Sequence, residues 1–279
     1  MPFAHACINA IGTDNRGHKF EPMFDVGDDL ARSLARDKAE NYWLRNAVKI
    51  TADARKDPDL KHLTDLAIVL VHQGQHAHAI RLLLSLEKRY PGRHETAGNL
   101  GTALELAGHD AVALKWIRIG IHRNVREHYG TEWLHARILE AKLATASQPG
   151  YLTDHSIAGL HFEDSLVPPL SSKMPNGNDG TPLHPWEVNL ALNYQLHERL
   201  QFVDPPDPVV ANLLGDWATL NLAGGPIETA GVLYPLALQY GLPGNPLITA
   251  RQRYIRQMLA RSKKEASLGY GCDICQPVE

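Results

Sequence analysis

Apolar residues recur along most of the chain at spacings of three and four, the pattern of helices with one buried face. Leu63, Leu66 and Leu70 make one stripe, and Ala79, Ile80, Leu83 and Leu86 make a second, with Gly74 between them. The arrangement returns 34 residues later: Leu66 corresponds to Leu100, Ala67 to Gly101, Leu70 to Leu104, Gly74 to Gly108, Ala79 to Ala113 and Leu83 to Ile117. Small residues fall on small ones and large apolar residues on large ones. The period predicts two helical hairpins, 60–93 and 94–127, each with a turn glycine and with small residues where its helices approach. Pro91 stops the second helix of the first unit.

Outside the pair the same pattern is looser. Residues 28–56 read as one or two helices, with Ala31, Leu34, Ala35, Trp43, Leu44 and Ala47 on the apolar face. Residues 128–146 read as one helix packing on the second unit. Residues 147–186 lose periodicity and are rich in Pro, Gly, Ser and Asn, which predicts a surface loop. Helix returns at 187–200 and, after DPPDP at 204–208, at 211–244. There Ala218, Gly225, Ala230, Tyr234 and Ala237 repeat the register in a degenerate third copy, with Pro226 opening its second helix. The last helix, about 247–264, carries six basic residues and no acid. The simpler reading of it is a capping helix with a polar outer face and with Ile248, Tyr254, Ile255, Met258 and Leu259 turned inward. The expected organisation is an N-terminal arm (1–28), a helical region (29–146), a linker (147–186), C-terminal helices (187–265) and a tail (266–279). The fold class is all-α: an α-solenoid with additional irregular helices and essentially no strand.

A helix pair of period 34 with its small residue at Ala67 and Gly101, its glycine at Gly74 and Gly108 and its alanine at Ala79 and Ala113 resembles the tetratricopeptide repeat, or TPR. Leu86 and Val125 depart from that family's small residue and terminal proline. The stretch from about Asp29 to Leu143 is also similar to bacterial proteins built around two such repeats, a resemblance that supplies no catalytic residue. It implies a concave face drawn from the first helix of each unit: Lys61, Thr64, Ile68, Val71 and His72, then Glu95, Gly98, Thr102, Glu105 and Leu106. Family members that grip a C-terminal carboxylate do so with a lysine and two asparagines. Here those positions hold Thr64, Ile68 and Asn99, and Tyr129 and Trp133 stand where basic residues would follow. A carboxylate clamp is therefore not expected.

Charge narrows the partners. Lys and Arg total 28 and Asp and Glu 31, a net charge of −3, without the basic excess of a nucleic-acid binder. No apolar run is long enough to span a membrane. His5, Asn9, Asp14 and Asn15 interrupt any signal-peptide core, so the chain as written reads as cytoplasmic, or extracytoplasmic if an upstream signal is missing.

Three constellations carry candidate chemistry. Cys272 and Cys275 form a Cys-x-x-Cys pair that could be incidental, hold half a zinc site completed by Cys7 and His5, or act as a redox pair. His128, Glu132 and His135 stand at i, i+4 and i+7, one face of a helix, where packing or hydrogen bonding is the simpler reading and a divalent metal the sharper one. His76 and His78 lie in a repeat turn and read as solvated. No phosphate loop, dinucleotide fingerprint or nucleophile elbow is present in the sequence. The reading that absorbs most of the chain is a non-catalytic scaffold that binds a protein or peptide through its concave face, without a cofactor. The alternative is a metal-handling or enzymatic protein with a site at Cys7, Cys272 and Cys275 or at His128 and His135.

Overall fold

The computed structural model describes residues 25–35, 41–262 and 272–275. Among them are thirteen α-helices and no strand, only one isolated bridge, between Asn176 and Pro182. The chain divides into two compact units, whose described residues are 41–147 in the first and 25–35, 148–262 and 272–275 in the second.

The first unit holds α2 (Tyr42–Arg45), α3 (Ala47–Lys56), α4 (Leu60–His72), α5 (His76–Arg89), α6 (His94–Leu106), α7 (Asp110–Arg123) and α8 (Glu132–Ser147). From α3 to α7 each helix packs on the next, α7 packs on α8, and α4 also touches α6. Asp59 starts α4 by accepting the His62 amide proton at 2.7 Å. The two hairpins end their first helices identically. Gly74 and Gly108 take φ of 71° and 80°, and the next amide reaches back five residues, Gln75 to Leu70 and His109 to Leu104. That is the Schellman termination, which favours glycine because a side chain is strained at positive φ. Arg89 and Arg123, also 34 apart, each reach back to a carbonyl just before their own hairpin, of Pro58 and Arg93 respectively.

The small residues do what the register requires. A Cβ built on Gly101 would stand 2.5 Å from Ile117 Cδ1, so α6 and α7 meet with no space for a methyl group. Ala79 and Ala113 are fully buried. Overpacking them forces helices apart, so Ala79→Leu or Ala113→Leu is expected to cost ~1–3 kcal/mol in denaturant unfolding. His78 is exposed and His76 half-buried, and His76→Ala and His78→Ala should each stay within ~0.5 kcal/mol. Histidine substitutions more damaging than the alanine enlargements would contradict the repeat register.

The second unit holds α1 (Asp28–Leu34), α9 (Tyr151–Asp154), α10 (Pro185–Arg199), α11 (Pro208–Gly224), α12 (Ile227–Gln239) and α13 (Pro246–Ser262). The residues read as a degenerate copy fall on the closely packed pair α11–α12, with Pro235 inside α12. Trp217 of α11, Tyr194 of α10 and Tyr234 of α12 are the largest fully buried side chains among the described residues.

Four expectations need correction. The helix foreseen from residue 128 begins at Glu132, because His128 and Tyr129 are left-handed. The segment foreseen as a surface loop buries Ile157, Ala158, Leu160 and Ser171. It is tied down by polar side chains: Ser156 Oγ donates to Asp216 Oδ2 at 2.6 Å, and the Ile157 amide donates to Asn212 Oδ1 at 2.9 Å. The basic residues of the last helix do not all lie on its polar outer face, since Arg251 is buried and donates to the carbonyls of Glu163 and Ser165 and to the Tyr234 hydroxyl. Ala31, Ala35 and Leu44, assigned to an apolar face, are exposed, and only Leu34 and Trp43 of that face are buried.

Candidate functional site

The expected concave face is mostly closed. Thr64, Ile68, Val71, Gly98 and Glu105 are buried; His72, Glu95, Thr102 and Leu106 are half-buried; only Lys61 is exposed. An open ten-residue groove is therefore not what the chain forms. The causes are local. Thr64 Oγ1 donates to the Leu60 carbonyl of its own helix. Gly98 faces Gly120, where α6 and α7 approach closely. At the end of α4, the Trp43 ring stacks on His72 and Asn41 Nδ2 donates to its Nδ1 at 3.1 Å, so α2 covers that end. Lys61 pairs with Asp65 at 2.6 Å.

Glu105 belongs to a different structure, a largely buried row in which carboxylates alternate with histidines and then Lys142. His94 Nδ1 meets Glu127 Oε2, and Glu127 Oε1 lies 3.3 Å from His128 Nε2. His128 Nδ1 lies 2.6 Å from Glu132 Oε1, and Glu132 Oε2 lies 3.4 Å from His135 Nδ1. His135 Nε2 bonds Glu105 Oε2 at 2.8 Å; Lys142 Nζ then bridges Glu105 at 3.1 Å and Asp110 at 2.7 Å. The row joins α6, α7 and α8. Burial opposes the imidazolium of His135, but hydrogen bonds and charge from Glu105 and Glu132 outweigh it and push its pKa up to about 9. Burial likewise opposes ionisation of Glu132, yet His128 and His135 hold it well below the usual carboxylate range. The Glu127 carboxylate raises His94.

The turn into α8 is shaped by the same row. His128 and Tyr129 have φ of 50° and 59° and Gly130 has 78°, three left-handed residues in succession. Non-glycine residues there cost roughly 1–3 kcal/mol each and persist only where neighbours over-determine them. Here Glu127 and Glu132 hold the His128 ring, and Thr131 Oγ1 donates to the His128 carbonyl at 2.7 Å.

The three residues foreseen as a metal face are thus brought together, but as a carboxylate-linked row. Both ring nitrogens of His128 and of His135 face carboxylates, at 2.6 to 3.4 Å, so a metal would have to displace these contacts to reach either ring. Cys272 and Cys275 are joined as a disulfide, so in this state they are not thiolate ligands. Cys7 and His5 lie outside the described residues. Asp57, Asp59 and His62, among the described residues, bring donor atoms within 4.8 Å of one another, but Asp57 and Asp59 are exposed and Asp59 is occupied as the cap of α4.

One feature of α6 stands apart. Asn99 is 1% exposed, and neither its Oδ1 nor its Nδ2 has a hydrogen-bond partner. Asp65, one repeat earlier on α4, is buried with Oδ1 in the same condition. Burying polar groups unpaired costs about 1–3 kcal/mol each. The signal in the sequence was an acid and an amide 34 residues apart in the middle of apolar first helices. The partners in the charged row left no such signal, because Glu105 and His135 are far apart in sequence.

No protein-family model matches the chain, and neither does any curated protein or solved structure.

Proposed function

We propose that the chain is a non-catalytic, tetratricopeptide-like scaffold whose first unit, an α-solenoid of two repeats, binds an extended segment of a protein or peptide partner along α4 and α6. Two hairpins related by a constant shift offer equivalent side chains at a regular interval, which suits a chain with its own regular spacing. The observation that carries the reading is Asn99. Its amide has one acceptor and two donors, the complement of a backbone N–H and C=O, and all of them are unused. Asp65 Oδ1 offers a further acceptor one repeat away. The contact set is narrower than the ten residues first drawn, comprising Lys61, Glu95, Thr102 and Leu106 beside Asp65 and Asn99. Since Asn99 is closed to water, binding entails rotamer changes of the side chains along this strip, which are common at interfaces.

The test is selection from a random displayed peptide library on the full chain. A binding sequence should be enriched, and Asn99→Ala should weaken it about tenfold or more, as for a central contact. Thr102→Lys should weaken it too, by blocking the strip. Failure to enrich any sequence, or binding indifferent to both substitutions, contradicts the proposal.

A further inference from the structure

The Cys272–Cys275 disulfide lies in the second unit and plays no part in the proposed binding strip. It closes a tight turn in which the Cys275 amide donates to the Cys272 carbonyl at 3.4 Å. The two residues inside the turn are docked. The Asp273 amide donates to the Gly224 carbonyl at 2.9 Å, at the end of α11. Ile274 is completely buried, and its carbonyl accepts from Asn189 Nδ2 of α10 at 3.2 Å. A Cβ on Gly225 would come within 2.7 Å of Ile274 Cδ1, so the glycine makes room for this side chain. Asn189 uses its other end to accept from Trp217 Nε1 at 2.6 Å, which links the docked turn to the core of the unit. Both cysteines are half-exposed, within reach of a small thiol.

We propose that Cys272 and Cys275 are a reversible thiol–disulfide modification site that seats Ile274 at the ends of α10 and α11 when oxidised and releases it when reduced. One buried isoleucine and two hydrogen bonds hold the turn, a gain comparable to the entropy of ordering its four residues. The covalent ring removes much of that freedom in advance, so its opening decides whether the turn stays docked. The co-reactant is a small thiol of the glutathione class. Its thiolate attacks one cysteine sulfur, forming a mixed disulfide and expelling the other cysteine as a thiolate, which takes a proton. A second thiol attacks the mixed disulfide. The products are two cysteine thiols and one oxidised disulfide of the co-reactant.

The test uses the full chain, purified in air and then equilibrated with reduced or oxidised glutathione. Peptide mapping after alkylation distinguishes these two cysteines from Cys7. They should resist alkylation as purified and become alkylated after reduced glutathione, in the folded protein. Amide exchange of residues 272–275 should then quicken roughly tenfold or more, as expected when a docked segment opens. Ile274→Ser should quicken it similarly while the disulfide remains. Alkylation of both cysteines before reduction, resistance of the folded protein to glutathione, or unchanged exchange after reduction would each overturn the proposal.

Discussion

Glu132→Ala is expected to destabilise the protein by about 3–5 kcal/mol, the cost of removing one partner from a buried ion pair. Glu132 lies between His128 and His135, with both carboxylate oxygens used, and is 1% exposed. Its loss strands two buried imidazoles whose remaining partners are Glu127 and Glu105. It also frees the His128 ring, one of the restraints that hold the left-handed turn. A stability change of that size is a large share of the ~5–15 kcal/mol typical of a folded domain. The control is Arg118→Ala, which removes an exposed pair with Glu140 at 2.7 Å and should cost less than ~1 kcal/mol. Urea unfolding of both variants makes the comparison. Equal small effects would mean that the row is solvated and that α8 is held by apolar packing alone.

Stability should also fall on the alkaline side of neutrality. His135 rises from 6.5 to about 9 on folding, which corresponds to about 3 kcal/mol. Because the folded state binds the proton more tightly, this contribution is complete below about pH 6.5 and is lost as pH rises through about 9. His94, raised by Glu127, contributes in the same direction. Glu132 has the opposite sign: its stabilisation is present above about pH 4.5 and is lost as pH falls toward its lowered folded value. The groups facing His135 are Glu105 from α6 and Glu132 from its own helix, with Lys142 and Asp110 next along the row. Unfolding free energy measured from pH 6 to 10 should therefore decline, and His135→Gln should flatten the decline. A wild-type profile that is level from pH 6.5 to 9.5 would contradict the charge state assigned to the row.

What the sequence revealed and what it hid follow from range of interaction. The hairpins α4–α5 and α6–α7 were legible because their glycine caps and small contacts are local and occur twice, but the stripe read for α4 is not its buried face: Leu63, Leu66 and Leu70 are half-buried, whereas Ala67, Ile68 and Val71 are buried. Gly74 and Gly108 announced their turns because positive φ selects glycine. His128 and Tyr129 gave a weaker warning: non-glycine residues are uncommon at positive φ, and the carboxylates of Glu127 and Glu132 beside the His128 ring come from the tertiary arrangement. The burial of Ile157, Ala158, Leu160 and Ser171 within the otherwise largely exposed 155–184 segment was equally hidden. Its Pro- and Gly-rich composition forbids regular structure, but Asp216, Asn212 and Arg251, all distant in sequence, supply the polar partners that let it pack. The binding face was overdrawn for a related reason. A repeat register fixes which residues share a helix face, whereas exposure depends on what neighbouring elements place over that face, as Trp43 does at His72.

The central claim is that α4 and α6 form the binding strip, and the Asn99 side-chain amide reports on it directly. In a proton–nitrogen correlation spectrum, assigned by loss of its signal in Asn99→Ala, the two Nδ2 proton resonances can be followed during titration with a selected peptide. The account predicts that they shift and saturate together with backbone signals of Asp65, Glu95 and Thr102, with one dissociation constant. Saturable peptide binding that leaves the Asn99 amide unmoved, with its shifts confined to α5, α7 or the second unit, would contradict it.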